Sequence, residues 1–204
     1  AALVTIDVQR DTLDDQPFEI PGTSQALPQI SALCAAFRSR ALPIVHVLRI
    51  YLPDGSNAEL CRRDAIAKGA RLFLRGTQGR EVAPELLPAD APLPNDDLLL
   101  SGALQSVGPA ESYIYKSRWG AFYQTQLEQH LRELNVSTIV LAGCNYPNCI
   151  RATTYEASER DFRVVATTDG ISNFTLNGWH ELRSIGINVL STDECLAALQ
   201  AAHV

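Results

Sequence analysis

The amino-acid sequence predicts a doubly wound α/β fold, in which a mainly parallel, six-stranded sheet carries helices on both faces. Two observations lead to this prediction. Short apolar runs rich in β-branched residues alternate with longer segments whose apolar residues recur at helical spacing. The short runs are also apolar at nearly every position, as expected for a parallel sheet that is covered on both faces.

The predicted strands are the most apolar short segments of the chain. They lie at residues 2–8, 43–51, 112–116, 137–143, 162–168 and 187–191. Each is followed by a segment with helical periodicity, so parallel strands joined by right-handed crossovers are expected.

The predicted helices separate these strands. They span residues 27–41, 121–136, 150–161, 177–186 and 192–203, and a short helical segment is expected near residues 58–69. Their apolar residues lie three and four positions apart, which gives each helix a face that can pack on the sheet.

Residues 52–111 form a long excursion that interrupts this alternation. Pro, Gly, Asp and Asn are concentrated there in LPDGSN, RGTQG and LPADAPLPNDD. Apolar residues such as Leu72, Phe73 and Leu74 are interspersed, so the excursion is expected to shape a lid or an interface and not to act as a linker. With 204 residues, 46% of them apolar, the chain suits one core, and a single domain over residues 1–204 is predicted.

Charge and composition argue against several classes of partner. The formal net charge is −6 and the pI is near 5.2, whereas nucleic acids and anionic membranes bind basic surfaces. A small-molecule substrate is expected instead, and neutral or cationic ligands are easier to accommodate than anionic ones. No apolar run is long enough to span a membrane, and the five scattered cysteines include no CxxC pair, which suits a reducing compartment. A cytoplasmic protein is therefore predicted.

Three reactive side chains are predicted to meet at one edge of the sheet. Asp7 lies at the end of the first strand, Lys116 closes the third, and Cys149 lies in the turn after the fourth, where a helix begins. Ligands of open parallel sheets bind at the carboxyl ends of the strands, where the strand order reverses. Cys149 could act there as a nucleophile whose pKa is lowered by the helix N-terminus and by Lys116, with Asp7 as general base.

Each of these residues also has an ordinary structural explanation. An Asp after a strand commonly forms a turn, a lone Lys is most often solvated, and a free Cys commonly packs as a small apolar residue. The coincidence of an acid, a base and a thiol at one edge favours the catalytic interpretation.

Three motifs resemble those of a known family. They are LVTIDVQ at residues 3–9, YKSRWGAFYQTQLEQHLRELNV at 115–136 and IVLAGCNYPNCIRATTYEASERDF at 139–162. In order and spacing they resemble the isochorismatase-like hydrolases, specifically the cysteine-hydrolase branch of amidohydrolases. The resemblance implies a Rossmann-like three-layer fold and a catalytic triad of Asp7, Lys116 and Cys149. It also implies that the thiol cleaves the C–N bond of an amide, ureido or lactam compound through a thioester.

The resemblance implies further details of the nucleophile loop. A cis peptide bond is expected between Cys144 and Asn145, and the backbone N–H groups of Asn145 and Cys149 are expected to form an oxyanion hole. Tyr146 and Pro147 replace the family's usual Thr-Asp or Thr-Glu pair. The hydrogen bonds that orient this loop are therefore expected to differ from those of the family.

Neither a metal nor a cofactor is expected. Nicotinamidases of the family carry an Asp-x-His metal motif after the second strand, where this chain has RIYLPDG at residues 49–55. The histidines show no ligand spacing, and His46, inside an apolar strand, is expected to be a core residue. Both features argue against nicotinamidase activity.

Five residues are candidates for substrate binding. Trp119 and Tyr146 adjoin catalytic positions, and Phe122 lies close to Trp119, although core packing is an equal alternative for Phe122. Arg49 borders the long excursion and could meet a charged group, and Phe18 lies in the loop after the first strand.

Three other functions stay open at this point. A vinyl-ether hydrolase of the isochorismatase type would not need Cys149, and a catalytically silent binding protein would have a thiol of ordinary reactivity. A thiol redox protein would need a resolving partner for Cys149, for which Cys144 is the near candidate. The resemblance also implies a homo-oligomer, either a dimer or a tetramer.

Overall fold

A seven-stranded sheet forms the centre of the protein, whose computed structural model describes residues 1–201. The strands are β1 (Ala2–Ile6), β2 (Ile44–Leu48), β3 (Gln105–Gly108), β4 (Glu111–Tyr115), β5 (Thr138–Gly143), β6 (Arg163–Ile171) and β7 (Asn188–Leu190). They lie in the order β3-β4-β2-β1-β5-β6-β7, and every neighbouring pair except β3 with β4 is parallel. The predicted doubly wound α/β class is confirmed.

The predicted number of six strands was one too low. The strand missed is β3, which lies inside the 52–111 excursion, pairs antiparallel with β4 and ends the sheet. Its sequence QSVG is largely polar and only one of its residues is buried. A strand at the edge of a sheet needs no continuous apolar run, so β3 leaves no strong signal in the sequence.

Helices flank the sheet on both faces. They are α1 (Thr23–Ser39), α2 (Leu60–Ala67), α3 (Asp96–Leu100), α4 (Leu127–Glu133), α5 (Arg151–Ser158), α6 (Leu176–Ser184) and α7 (Thr192–Ala201). α1 begins before its predicted start at residue 27 and contains Pro28. The predicted end of the last helix, residues 202 and 203, lies outside the described residues.

α4 is shorter than the helix predicted for residues 121–136. The residues ahead of it are turns, because Ala121 N–H donates to Thr153 Oγ1 and Phe122 N–H donates to Glu156 Oε2. Both acceptors belong to α5. The segment between Lys116 and α4 is therefore fastened to the helix that follows Cys149.

Side chains alternate along β1 between the two halves of the core. Ala2, Val4 and Ile6 pack with apolar residues of α4, α5 and α6, whereas Leu3 packs with those of α1 and α7. Every residue of β1 is buried. Burial on both faces explains why the strand is apolar at every position except Thr5 instead of alternating with polar residues.

The 52–111 excursion packs against the carboxyl end of β2. Tyr51, Ile66 and Phe73 are buried in a small apolar cluster of their own. Tyr51 N–H donates to Phe73 O at 2.8 Å, which ties the excursion to the chain just after β2. This packing places α2 beside the residues that follow β2.

A buried polar network lies at the opposite end of the sheet. His46 Nε2 lies 2.7 Å from Glu111 Oε1, and the Thr5 hydroxyl lies 2.7 Å from His46 Nδ1. Arg38 holds both oxygens of Glu111, at 2.6 and 2.7 Å. Burial lowers the pKa of His46, so its neutral ring donates from Nε2 to the carboxylate. His46 is thus a satisfied core residue, as predicted.

Replacing Glu111 by Gln is expected to lower the free energy of unfolding by about 2–3 kcal/mol at pH 6 and by about half as much at pH 3. Burial opposes the charge on Glu111, but the hydrogen bonds from Arg38 and His46 outweigh it and lower the pKa of Glu111 to about 2. A carboxylate with a lowered folded-state pKa stabilises the fold above its unfolded pKa and loses this effect as the pH falls through the folded value. Urea denaturation of both proteins at the two pH values measures the difference, and an equal difference at pH 6 and pH 3 would contradict it.

No helix within residues 1–201 has the length and apolar character needed to cross a membrane.

All five cysteines are free thiols, four of them buried and Cys61 exposed.

Candidate active site

The three residues predicted to be catalytic converge at the carboxyl ends of the central strands. Asp7 directly follows β1, Lys116 directly follows β4, and Cys149 lies in the turn after β5. β1 lies between β2 and β5, so the strand order switches direction there, which leaves a crevice at the carboxyl ends. Lys116 Nζ lies 2.8 Å from Asp7 Oδ2, and all three side chains are almost completely buried.

A fourth group, the guanidinium of Arg49, contacts both Asp7 and Cys149. Arg49 directly follows β2 and is completely buried. Its Nε lies 3.3 Å from Asp7 Oδ2, and its Nη2 lies 3.4 Å from Cys149 Sγ. The sequence suggested Arg49 for a charged group of the substrate, but its charge is already matched inside the protein by Asp7 and Glu59.

Glu59 belongs to this site although the sequence analysis did not single it out. Its carboxylate pairs with Arg49 and accepts a 2.6 Å hydrogen bond from the Tyr51 hydroxyl. Burial opposes its ionisation, but Arg49 and the bond from Tyr51 lower the pKa of Glu59. The only signal in the sequence is an acid near the start of a short predicted helix, which is typical of an ordinary helix terminus.

Asp7 is ionised and Cys149 is a neutral thiol in the resting site. Burial opposes the charge on Asp7, but Lys116 and Arg49 outweigh it and lower the pKa of Asp7. Burial and the charge of Asp7 raise the pKa of Cys149, and the two cations offset only part of this effect. The expected lowering of the thiol pKa is therefore wrong for the resting site, because a carboxylate lies next to the thiol and water is excluded.

With a neutral thiol in the resting site, this arrangement favours a mechanism in which the thiol loses its proton during attack on the substrate. A mechanism that starts from a thiolate already formed in the resting enzyme is disfavoured. Asp7 Oδ2 is engaged by Lys116 and Arg49, whereas Asp7 Oδ1 is buried and accepts no hydrogen bond within residues 1–201. An unpartnered buried carboxylate oxygen beside a thiol is a suitable acceptor for the thiol proton.

The backbone between β5 and α5 is tightly constrained. Gly143 has φ = +119°, and a Cβ at this position would lie 2.3 Å from the carbonyl oxygen of Ile6. The peptide bond between Cys144 and Asn145 is cis, as predicted. Tyr146–Ile150 then form a single π-helical turn that carries Cys149.

The same turn offers a hydrogen-bond donor to a ligand. Within residues 1–201, the backbone N–H of Asn145 has no hydrogen-bond partner. Asn145 borders the same cleft as Cys149, whose own N–H is the second donor expected from the sequence. Unused N–H groups next to a nucleophile can stabilise the negative oxygen that forms when a carbonyl is attacked.

The cleft beside Cys149 is narrow. It is lined by Asp7, Phe18, Ile20, Arg49, Arg62, Phe73, Cys144, Asn145, Asn148 and Cys149. Two of the residues suggested for substrate binding, Phe18 and Arg49, border it. Arg62 and Phe73 come from the 52–111 excursion, which therefore forms part of the wall. A narrow cleft suits a ligand of few heavy atoms.

Trp119 packs against two arginines of the cleft, Arg49 and Arg62, and does not itself line the cleft. The centre of its indole ring is 5.1 Å from the guanidinium carbon of Arg49 and 4.7 Å from that of Arg62. Cation–π contacts of this kind hold a guanidinium in a fixed orientation. The structure thus brings Trp119 into the site as a support for two arginines and not as a wall of the cleft.

Tyr146 and Phe122 lie away from the cleft, contrary to the suggestion from the sequence. The Tyr146 ring packs on Phe174, and its hydroxyl donates to Gly178 O at 3.1 Å. Phe122 packs on Phe162 in the same part of the apolar core as residues of α4 and α5. Adjacency in sequence to catalytic positions was misleading, because the π-helical turn directs the Tyr146 side chain toward α6.

Metal-binding clusters are not found in the described part of the chain. Within residues 1–201, no group of three or more His, Cys, Asp or Glu side chains could hold a metal ion. The place of the family's Asp-x-His motif is taken by Arg49, Ile50 and Tyr51, of which Arg49 and Tyr51 pair with Glu59. One histidine, His203, lies outside the described residues.

Comparison with known proteins gives a consistent result over the whole chain. A family model, the isochorismatase domain, matches residues 1–194. A probable inactive nicotinamidase from Arabidopsis thaliana is 26% identical over 178 residues, which cover 85% of this chain and 81% of that protein. An N-carbamoylsarcosine amidase from Arthrobacter sp is 26% identical over 175 residues, which cover 84% of this chain and 59% of that protein. The crystal structure of an isochorismatase family protein from Desulfovibrio vulgaris superposes with a TM-score of 0.81 at 31% identity, covering 96% of this chain and 97% of that one.

Proposed function

Because the chain belongs to the isochorismatase family of hydrolases, we propose that it is a cysteine-dependent hydrolase that cleaves a C–N bond of a small amide, ureido or lactam compound. One observation carries this proposal. Lys116 and Arg49 hold one oxygen of Asp7, the other oxygen accepts no hydrogen bond from residues 1–201, and the carboxylate lies beside the Cys149 thiol. The thiol, the base and Arg49 thus border one narrow cleft, and Lys116 pairs with the base.

The first half of the reaction forms a thioester. Cys149 Sγ bonds to the carbonyl carbon of the substrate while its proton passes to Asp7, and the carbonyl oxygen becomes an oxyanion. The N–H groups of Asn145 and Cys149 are the proposed donors to this oxygen. The C–N bond then breaks, the leaving nitrogen takes the proton from Asp7, and ammonia or an amine departs.

The second half of the reaction releases the acid. A water molecule gives a proton to Asp7 and its oxygen bonds to the thioester carbon. The C–S bond breaks, and the proton on Asp7 returns to the sulfur of Cys149. Lys116 and Arg49 stabilise each state in which the negative charge lies on Asp7 or on sulfur.

Two alternatives are kept because specific observations support them. The Arabidopsis relative is described as a probable inactive nicotinamidase, which is consistent with a silent binding protein on this fold. A vinyl-ether hydrolase would use the carboxylate of Asp7 without the thiol. The amidase named among the relatives favours C–N cleavage over ether cleavage.

Hydrolysis of a panel of small amides is expected to fall in proportion to alkylation of Cys149. The panel contains a primary amide, an N-carbamoyl amino acid and a lactam, and ammonia or acid release is measured after partial treatment with iodoacetamide. Peptide mass spectrometry gives the modified fraction of Cys149. The variant Cys61→Ala serves as the control, because Cys61 is exposed and also alkylates.

Three outcomes of this experiment are informative. Loss of activity in step with Cys149 modification, unchanged in Cys61→Ala, supports the proposal. Turnover that persists after complete modification of Cys149 points to thiol-independent chemistry. No turnover of any panel member, together with alkylation as slow as that of an ordinary buried thiol, favours the silent binding protein.

A further inference from the structure

We propose that Arg62 selects substrates that carry a carboxylate, which it binds at the end of the cleft supplied by the 52–111 excursion. This proposal rests on the thiol-dependent hydrolysis proposed above and names the substrate class of the same site. Arg62 lies in the first turn of α2, and its side chain lines the cleft together with Cys149.

The guanidinium of Arg62 is held in place without a counter-ion. Its carbon lies 4.7 Å from the centre of the Trp119 ring and 5.1 Å from that of the Phe18 ring, so the group is flanked by two aromatic side chains. Its Nη1 donates to the Tyr51 hydroxyl at 3.3 Å. Within residues 1–201 no carboxylate lies within 4.0 Å of it.

The remaining charges of the site balance one another. Lys116 and Arg49 are cationic, and they pair with the anionic Asp7 and Glu59. Arg62 therefore adds one positive charge that no acid of the cleft wall neutralises. A ligand that brings a single negative charge restores neutrality at the cleft.

The chemistry of the group indicates a carboxylate as the anion. A guanidinium presents five N–H donors in a planar fork, and the Tyr51 hydroxyl takes only one of them. This fork matches a carboxylate in two parallel hydrogen bonds. The cleft is narrow and must also hold the carbonyl group under attack, which favours a short chain and a small planar anion over larger groups.

The relative rates at which Cys149 reacts with iodoacetate and iodoacetamide test this proposal. The two reagents have the same size and transfer the same two-carbon unit, but only iodoacetate carries a carboxylate. The rate of each is measured on the Cys149 peptide by mass spectrometry and divided by its rate with glutathione. We expect the normalised ratio to favour iodoacetate by about tenfold in the wild type, as one charge-assisted hydrogen bond implies.

Arg62→Gln is expected to lower this ratio by about tenfold. Arg62→Lys should retain part of the preference, since it keeps the charge but loses the fork. The matched control is Arg63→Gln, which removes the same charge from the next residue of α2. Arg63 bonds to backbone oxygens of Ser56 and Ala58 and does not line the cleft, so its ratio should equal that of the wild type.

A binding measurement on the wild-type protein keeps the proposal testable if Cys149 resists both reagents. Calorimetric titration compares 4-oxopentanoate with 2-hexanone, which share a ketone and a similar chain and differ in the carboxylate. Binding of 4-oxopentanoate at least about tenfold tighter supports the proposal. Equal binding overturns it, as does a wild-type alkylation ratio that Arg62→Gln leaves unchanged. Binding of inorganic phosphate as tight as that of 4-oxopentanoate would overturn the assignment to a carboxylate.

The two proposals fail in different ways. An unreactive Cys149 combined with tight binding of 4-oxopentanoate contradicts the thiol mechanism and leaves the anion site intact. A reactive Cys149 without any preference for iodoacetate contradicts the role of Arg62 and leaves the thiol mechanism intact.

Discussion

Cys149→Ala is expected to reduce amide hydrolysis by about 10⁴-fold or more in kcat/KM while the protein stays folded. In the proposed mechanism the thiol supplies the atom that bonds to the substrate carbonyl, and within the described part of the chain no other thiol or hydroxyl side chain borders the cleft except Cys144. Cys144 lacks the contact with Arg49 that Cys149 makes, and burial raises its pKa far above the ordinary value, so Cys144 is not expected to substitute for Cys149. The rate is measured with whichever panel amide turns over fastest.

The cost to stability is expected to be small, at about 1 kcal/mol, since only one buried sulfur atom is removed. Urea denaturation checks this value, and Cys61→Ala is the control for loss of a thiol elsewhere. Retention of more than a tenth of the activity in folded Cys149→Ala would contradict nucleophilic catalysis. It would instead favour the vinyl-ether type of chemistry, in which Asp7 acts without a thiol.

Asp7→Asn is expected to lower kcat/KM by about 10³-fold or more, although it makes the thiol easier to ionise. In the proposed mechanism the carboxylate accepts the proton of Cys149 and passes it to the leaving group, and an amide can do neither. The same carboxylate raises the pKa of Cys149 by its negative charge, while Lys116 and Arg49 act in the opposite direction. Removing the charge of Asp7 therefore lowers the pKa of the thiol.

The pH dependence of Cys149 alkylation by iodoacetamide measures this shift. In the wild type the midpoint should lie above that of a free thiol. Asp7→Asn should move the midpoint to lower pH, and Lys116→Met, which removes a cation, should move it to higher pH. Equal midpoints in all three proteins, or shifts in the same direction, would contradict the assigned charges.

Asp7→Asn is expected to cost more stability than Cys149→Ala. Asp7→Asn leaves the buried cations Lys116 and Arg49 without one of their counter-ions, which is expected to cost about 3–5 kcal/mol of the free energy of unfolding. Thermal denaturation measures this change. A substrate analogue with a carboxylate, such as 4-oxopentanoate, should recover part of it by mass action if the anion binds at the cleft.

The sequence by itself determined the fold class and the positions of the three reactive residues. Apolar runs and helical periodicity are local patterns, and the strands they mark are buried on both faces in the structure. The ends of these strands fix where Asp7, Lys116 and Cys149 lie, because parallel strands bring their carboxyl ends to one edge. That part of the candidate site could therefore be predicted without knowledge of any contact.

Only the tertiary structure decided the charges of the site and the directions of its side chains. Glu59 pairs with Arg49 because the excursion folds back on the residues after β2, and nothing in the local sequence specifies that contact. The pKa of Cys149 is raised, not lowered, because the effect of a carboxylate and of burial depends on distances across the sheet. Tyr146 lies in the core and Arg62 in the cleft for the same reason: long-range packing, and not position along the chain, directs a side chain toward a ligand or away from it.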